Sequence, residues 1–354
     1  MATFTTHDVK HIREDLADVI SDISPEDVPF TTLIGSTKAT ATRHEYMSDS
    51  LAAANKDNAA VEGADAANTI LTGPERFANY TQIFTKTVKI SDRLKAVNTA
   101  GTKNELARQL TKGGKEMKRD KEAAFLSGNV SNPGSGSVAS KLGGALSWLN
   151  TNMYGYSSES GATDLTFDKV TDFGYDATTG VTKANPALLS TDTIVGGTQA
   201  VPFYGLREDD FNEMLSACWA AGGEPDKILV GGGLKRYISQ NFTGGATKFQ
   251  KMDKDQTLFA GVDIYSGDFG MYSIIPSHFI SPNVVFAFDP KLWAEATLRG
   301  YSKSELGKSG DSTQYQLTYE GTLESRNEAG SGAIVGIIPT AANPAGGTIP
   351  KIPA

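Results

Sequence analysis

The feature that most restricts the fold is a pair of strand-like segments, separated by a polar stretch and followed by a long helix. Residues 40–51 and 76–90 are rich in Thr, Tyr, Phe, Val and Ile, which suit a pleated, half-buried surface. Between them, residues 52–72 hold Ala, Asn, Asp and Gly with no apolar period. The pattern predicts a long hairpin over residues 36–90 with a soft tip. About 15 residues per arm at roughly 3.3 Å each reach near 50 Å, more than most domains need. An isolated two-stranded hairpin is marginal in water, so this one rests on its own sheet or on another subunit.

Residues 102–127 carry the clearest helical signal. Leu106, Leu110, Met117, Ala124 and Phe125 mark one face, while Arg108, Lys112, Lys115, Lys118 and Glu122 line the rest. About 25 residues at 1.5 Å rise make a rod of about 37 Å. Gly113-Gly114 weakens it by about 1–2 kcal/mol against alanine and marks either a bend or a close crossing. Gly128 and Asn132-Pro133-Gly134 end it.

Ahead of the hairpin, residues 1–35 read as an arm. Val9, Ile12, Leu16, Val19, Ile20 and Ile23 form an amphipathic stripe, which Pro25 and Pro29 stop. A short terminal helix needs a surface, either its own domain or a neighbour. Residues 128–205 are rich in Gly, Ser and Thr and weakly patterned, apart from the apolar run 142–149 around Trp148; the pieces 193–195 and 201–204 suggest short strands.

Beyond residue 206 the α/β signal returns. Asp209-Asp210 sit at a helix start, where carboxylates favour the positive dipole end. Phe211, Met214, Leu215, Cys218 and Trp219 supply the buried stripe of that helix. A strand at 228–230, a Gly231-Gly232-Gly233 turn, a helix at 234–241 and strands at 262–265, 271–275 and 284–288 follow. Tyr315, Leu317, Tyr319 and Leu323 alternate with Gln316, Thr318, Glu320 and Thr322, the period of a half-buried strand. Residues 333–338 form one more apolar strand, and 341–354 a Pro/Gly/Ala tail expected to be flexible.

The charge balance excludes a polyanion clamp. Lys and Arg number 33 against 41 Asp and Glu, a net of −8, and the densest cationic stretch, 112–121, is interrupted by Glu116 and Asp120. The single cysteine, Cys218, has no intramolecular disulfide partner, which fits cytosolic assembly. No signal-peptide pattern opens the chain, and the longest apolar run is too short to span a bilayer, so a soluble protein is expected.

Catalytic and metal motifs are absent from the pattern. The Gly231-Gly232-Gly233-Leu234-Lys235-Arg236 segment lacks the spacing of a Walker loop or a dinucleotide fingerprint, and reads as a plain turn. His7 and His11 stand four apart without a zincin glutamate; His44 and His278 are isolated. Asp253-Lys254-Asp255 lacks the glycine and distal glutamate of a calcium loop. There is no Gly-x-Ser-x-Gly elbow, and Cys218 lies in an apolar stripe. No catalytic residue, cofactor or metal is expected.

Arm, hairpin, long helix, α/β unit and returning β segment follow the order of the Hong Kong 97 fold of tailed-phage capsid proteins. Particular segments resemble the SU-ten-type phage major capsid proteins. These are Pro29-Phe30-Thr31-Thr32-Leu33-Ile34-Gly35, Glu45-Tyr46, Glu62-Gly63-Ala64-Asp65, 76–83, Glu116-Met117-Lys118-Arg119-Asp120, 219–226, Gly267-Asp268-Phe269-Gly270, 307–312 and Leu323-Glu324-Ser325-Arg326-Asn327-Glu328. Each motif is weak alone, but their shared order covers roughly three-quarters of the chain. Residues 152–205 run longer than the family pattern, as an inserted loop or a small subdomain.

The resemblance implies an α+β fold: an N-terminal arm (1–35), an extended E-loop hairpin (36–90), a P-domain (91–165) with its spine helix at 102–127, an A-domain (166–290) and a return to the P-domain (291–340). It implies self-assembly through pentamers and hexamers into an icosahedral shell that encloses DNA without sequence-specific binding. Scaffold, portal or cementing proteins are candidate partners, no membrane is involved, and the chain belongs in the virion after assembly in the host cytoplasm. Inter-subunit ion pairs are expected at the hairpin, from Lys56, Asp57, Glu62 and Asp65 in the tip and Arg43 and Arg76 flanking it, each worth about 0–1 kcal/mol if exposed. The alternatives are a tail-tube or tail-sheath subunit, or an intracellular enzyme built on 206–290.

Overall fold

The computed structural model describes residues 25–49, 51–60, 62–63, 65, 73–97, 104–158, 165–170, 174–176, 179–183, 206–242, 264–308 and 310–337. The arm stripe at 9–23, the strands expected at 193–195 and 201–204, and the tail at 341–354 lie outside them.

The chain enters through α1 (Pro29–Leu33), where proline occupies a first-turn position that needs no amide proton. Strand β1 (Gly35–Lys38) leads to the hairpin of β2 (Arg43–Ser48) and β3 (Glu75–Tyr80), which pair antiparallel from Arg43 opposite Tyr80 to Ser48 opposite Glu75. The expected 15-residue arms are corrected here. The second arm divides at Thr81, and β4 (Gln82–Ser91) leaves the hairpin to join a separate sheet. The paired part therefore reaches only about 20 Å.

That sheet has four strands in the order β1, β13 (Trp293–Leu306), β14 (Ser312–Ser325), β4. The strand β13 was not anticipated. Its outer half, Arg299–Leu306, is Lys/Ser/Glu-rich and exposed, and backbone pairing to β14 holds it in place.

The short helix α2 (Asp92–Ala96) precedes the long helix α3 (Glu105–Phe125), which opens on an Asn104 cap whose Oδ1 accepts from the Ala107 amide at 3.1 Å. Helix α3 buries Gly113, Met117, Lys121, Glu122 and Phe125, whereas Leu106 and Leu110 are only half-buried. Gly113 marks a close crossing: a Cβ there would lie 3.2 Å from Leu317 Cδ1 and 3.8 Å from Val88 Cγ2. Glu122, expected on the open face, is fully buried.

The apolar run around Trp148 forms a buried turn, α4 (Ala145–Trp148). A second sheet has the order β10 (Ile264–Gly267), β11 (Gly270–Pro276), β9 (Lys227–Val230), β12 (Val285–Phe288), β15 (Gly332–Val335), β5 (Met153–Ser158), β6 (Leu165–Lys169). Helices α5 (Glu208–Ala220) and α6 (Gly232–Asn241) pack against it, and a small ribbon, β7 (Gly174–Asp176) with β8 (Val181–Lys183), contacts α4.

This sheet separates two cores, which explains its continuous apolar strands. Phe286, Phe288, Leu229 and Val335 face one core with Phe30, Phe125, Trp148 and Trp293. Val285, Ala287, Ile228, Val230 and Ile334 face the other with Phe211, Met214, Leu215 and Ile238. Alternating residues of a strand point to opposite sides, so one apolar run serves both.

Candidate inter-subunit surface

The root of the β2–β3 hairpin is locked to the body of the chain. Asn79 is fully buried; its amide donates to the carbonyls of Leu323 (2.8 Å) and Gly143 (3.1 Å), and its Oδ1 accepts from the Gly143 amide at 2.9 Å. Tyr46 accepts the Ser325 amide proton on its hydroxyl at 3.1 Å, with its ring stacked beside Phe77. Thr81, at the division between β3 and β4, donates to Glu320 at 2.9 Å.

The charged centre of this root is Glu324. It lies 3.2 Å from His44 Nε2 and accepts from Thr37 Oγ1 (3.0 Å) and Arg326 Nε (3.0 Å). These contacts, the His44 bond foremost, outweigh burial and hold its carboxyl down at about 2. The sequence reading missed this cluster. His44 and Glu324 are 280 residues apart, and nothing local links them; Glu324 falls within a segment that carried the family resemblance, and His44 stands one residue before another.

Of the six residues singled out for inter-subunit pairing, the structure brings two together. Arg43 Nε and Arg76 Nη1 approach the two oxygens of Glu45 at 3.3 and 3.4 Å, across the hairpin's own ladder. Arg43 pairs with Tyr80 at the root end of the ladder, so it does not flank the tip. Lys56, Asp57, Glu62 and Asp65 are exposed on the connecting stretch. Asn55 Oδ1 accepts the Asp57 amide at 3.0 Å, a local turn, and Gly63 takes a positive φ of 78°.

The segments weighed for chemistry are occupied by structure. Lys235, after the triple glycine, donates to the Ile274 carbonyl at 2.7 Å. Burial pushes the Cys218 thiol up to about 12, far from a reactive thiolate. His7, His11 and the 253–255 segment lie outside the described residues. Among the described residues no group of three or more His, Cys, Asp or Glu is placed to hold a metal, and no helix is long and apolar enough to cross a membrane.

Comparison with known proteins gives the wider context. The family model described as SU10 major capsid protein matches residues 2–337. The major capsid protein of Escherichia phage Phieco32 is 26% identical over 344 residues, covering 94% of this chain and 96% of that protein. The capsid of a native GTA particle, computed with C5 symmetry, aligns with a TM-score of 0.58 at 13% identity, over 94% of this chain and 98% of that one. A structure from Gordonia phage Cozz aligns at 0.54 and 11% identity, over 93% and 92%. The holo-SrpI encapsulin complex of Synechococcus elongatus PCC 7942 aligns at 0.51 and 12%, over 96% and 98%. The mixed helix-and-sheet arrangement is thus the one found in phage capsid structures.

Proposed function

This chain belongs to the SU10 major capsid protein family and forms a phage capsid, and from that premise we propose that its subunits gather as pentamers and hexamers into an icosahedral shell around packaged DNA. The role is structural, with no catalytic step, and the chain ends in the virion after assembly in the host cytoplasm. In this reading the four-stranded sheet with α3 is the P-domain, the seven-stranded sheet with α5 and α6 the A-domain, and β2–β3 the E-loop.

One observation carries the proposal. The β2–β3 hairpin pairs with no other strand among the described residues, yet its root is fixed by Asn79, Tyr46 and the Glu324 cluster. A two-stranded ribbon held firmly at one end and open along its edges suits a partner outside the chain. Lys56, Asp57, Glu62 and Asp65 supply polar contacts from its tip to a neighbouring subunit, and Arg43 and Arg76, joined through Glu45, stiffen the ribbon. Each exposed ion pair is weak, but repetition around a closed shell makes the sum large.

Deletion of residues 53–72 tests this. The expected product is a folded subunit that forms no closed shells, seen by light scattering and negative-stain microscopy in the presence of the neighbouring phage proteins. Normal particles from the deletion variant would overturn the role given to the hairpin. Scaffold, portal and cementing proteins remain candidate partners in the same experiment.

A further inference from the structure

The solvent side of α3 carries a charge pattern that the hairpin reading does not use. Arg108, Lys112, Lys115 and Arg119 recur at intervals of four, three and four residues, so they form one ridge along the helix. The ridge stands opposite the face that buries Gly113, Met117, Lys121 and Phe125. Lys118 adjoins it, and Lys112, Lys115 and Lys118 are exposed.

In the linear sequence Glu116 and Asp120 dilute these cations. In the fold both carboxylates turn to the flank, 3.5 and 3.2 Å from the Lys86 ammonium on β4. Among the described residues two carboxylates remain on the ridge: Glu105 pairs with Arg108 at 2.9 Å, and Glu26 with Lys115 at 2.5 Å. Five cations thus face two anions along about 16 Å of helix. The other side of the same layer differs. There β4 and β14 turn Thr85, Thr87, Gln314, Gln316 and Thr318 away from α3, a mostly uncharged polar surface.

We propose that the α3 ridge faces the packaged genome and contacts the phosphate backbone of duplex DNA. This inference rests on the shell reading above. A duplex presents one negative charge per about 1.7 Å of axis, so a short cationic ridge engages it without reading sequence. The overall charge of −8 is no obstacle, because a local field acts on the nearest surface. Contact at each subunit is weak, and the shell repeats it many times.

The test uses purified heads, DNA-filled and emptied, acylated at lysine with a small reagent that passes the shell and a bulky one that does not. Mass spectrometry then reads Lys112 and Lys118, with Lys89 on the opposite side of the layer as reference. The small reagent is expected to modify Lys112 and Lys118 several-fold more in emptied heads, and the bulky one to reach neither. A rise no larger than that at Lys89 overturns the proposal, and includes the case in which the acidic stretch of Asp8, Asp15, Asp18 and Asp22 covers the ridge. Labelling of Lys112 and Lys118 from outside by the bulky reagent also overturns it. Heads that lack this chain would sink the shell reading instead, so the two failures are separable.

Discussion

Phe30, at the start of α1, donates its amide proton to Glu122 Oε1 at 2.7 Å, 92 residues further along the chain. Thr31 adds its amide (2.9 Å) and its hydroxyl (2.7 Å) to Oε2 of the same carboxylate. The C-terminal end of α3 thereby caps the N-terminal turn of α1. The Phe30 ring meanwhile enters the core, 5.1 Å from Phe288 and 6.2 Å from Trp293. The position of α1 is fixed by polar and apolar contacts together.

Glu122→Gln keeps the shape but sets an amide NH2 against backbone and hydroxyl donors. Charge-assisted bonds are replaced by one neutral acceptor and a clash of donors, at a cost of about 1–3 kcal/mol. Urea unfolding of the isolated subunit measures it. A loss below about 0.5 kcal/mol, the scale of an ordinary surface change, would contradict the capping role.

Glu324 sets the acid behaviour of the hairpin root. Its carboxyl titrates at about 2 in the fold against an ordinary 4.5, so the unfolded chain binds the proton first. Its contribution is complete above about 4.5 and is lost as pH falls toward about 2. Glu122 behaves in the opposite sense, since burial, its largest influence, raises its carboxyl and acid does not weaken the fold through it. Unfolding curves recorded at descending pH should therefore fall less steeply in Glu324→Gln than in the parent over that window. Parallel curves would remove Glu324 as the acid-sensitive group.

The contrast between these carboxylates shows what the sequence exposes and what it hides. The 3.6-residue period located α3 within a few residues, and the strand period located β14, because burial on one face leaves a local imprint. Glu122 was placed on the open face because a charged residue at that spacing is usually solvated; its donors lie in α1, too remote for any periodicity to reveal. The outer half of β13 lacked apolar alternation because neither of its faces is buried there. The arginines at 43 and 76 were legible as hairpin charges, but Glu45 claims both, a pairing fixed only by register. The family motifs carried the order of the parts, which composition alone does not encode.

The two adjacent glycines of α3 should respond differently to alanine. A Cβ at Gly114 meets nothing within 4 Å, so Gly114→Ala gains the helical preference alone, about 1 kcal/mol. At Gly113 the same methyl presses on Leu317 Cδ1 at 3.2 Å, which offsets part of that gain. Gly113→Leu adds volume to a packed crossing and should destabilise by about 1–3 kcal/mol. Equal denaturation midpoints for the two alanine variants would mean that Gly113 is not the crossing point.

The strongest single dependence is expected at Lys121. Its ammonium lies 2.8 Å from Glu295 Oε1 and 2.9 Å from Oε2, tying α3 to β13, with both side chains largely buried. Tyr319 on β14 donates to the same carboxylate, and the rings of Tyr319, Tyr301 and Phe125 stand 5.0, 5.5 and 5.9 Å from the ammonium. Removing one partner strands the other charge in a poorly solvated site, so Lys121→Met should cost about 3–5 kcal/mol. Replacing both, as in Lys121→Met with Glu295→Met, leaves no buried charge and should recover most of that loss. Tyr319 then retains the Thr297 hydroxyl at 3.1 Å. A double-mutant cycle on the isolated subunit reads the coupling directly. Additive losses would show that the pair is held by packing of its aliphatic and aromatic neighbours and that its charges are incidental.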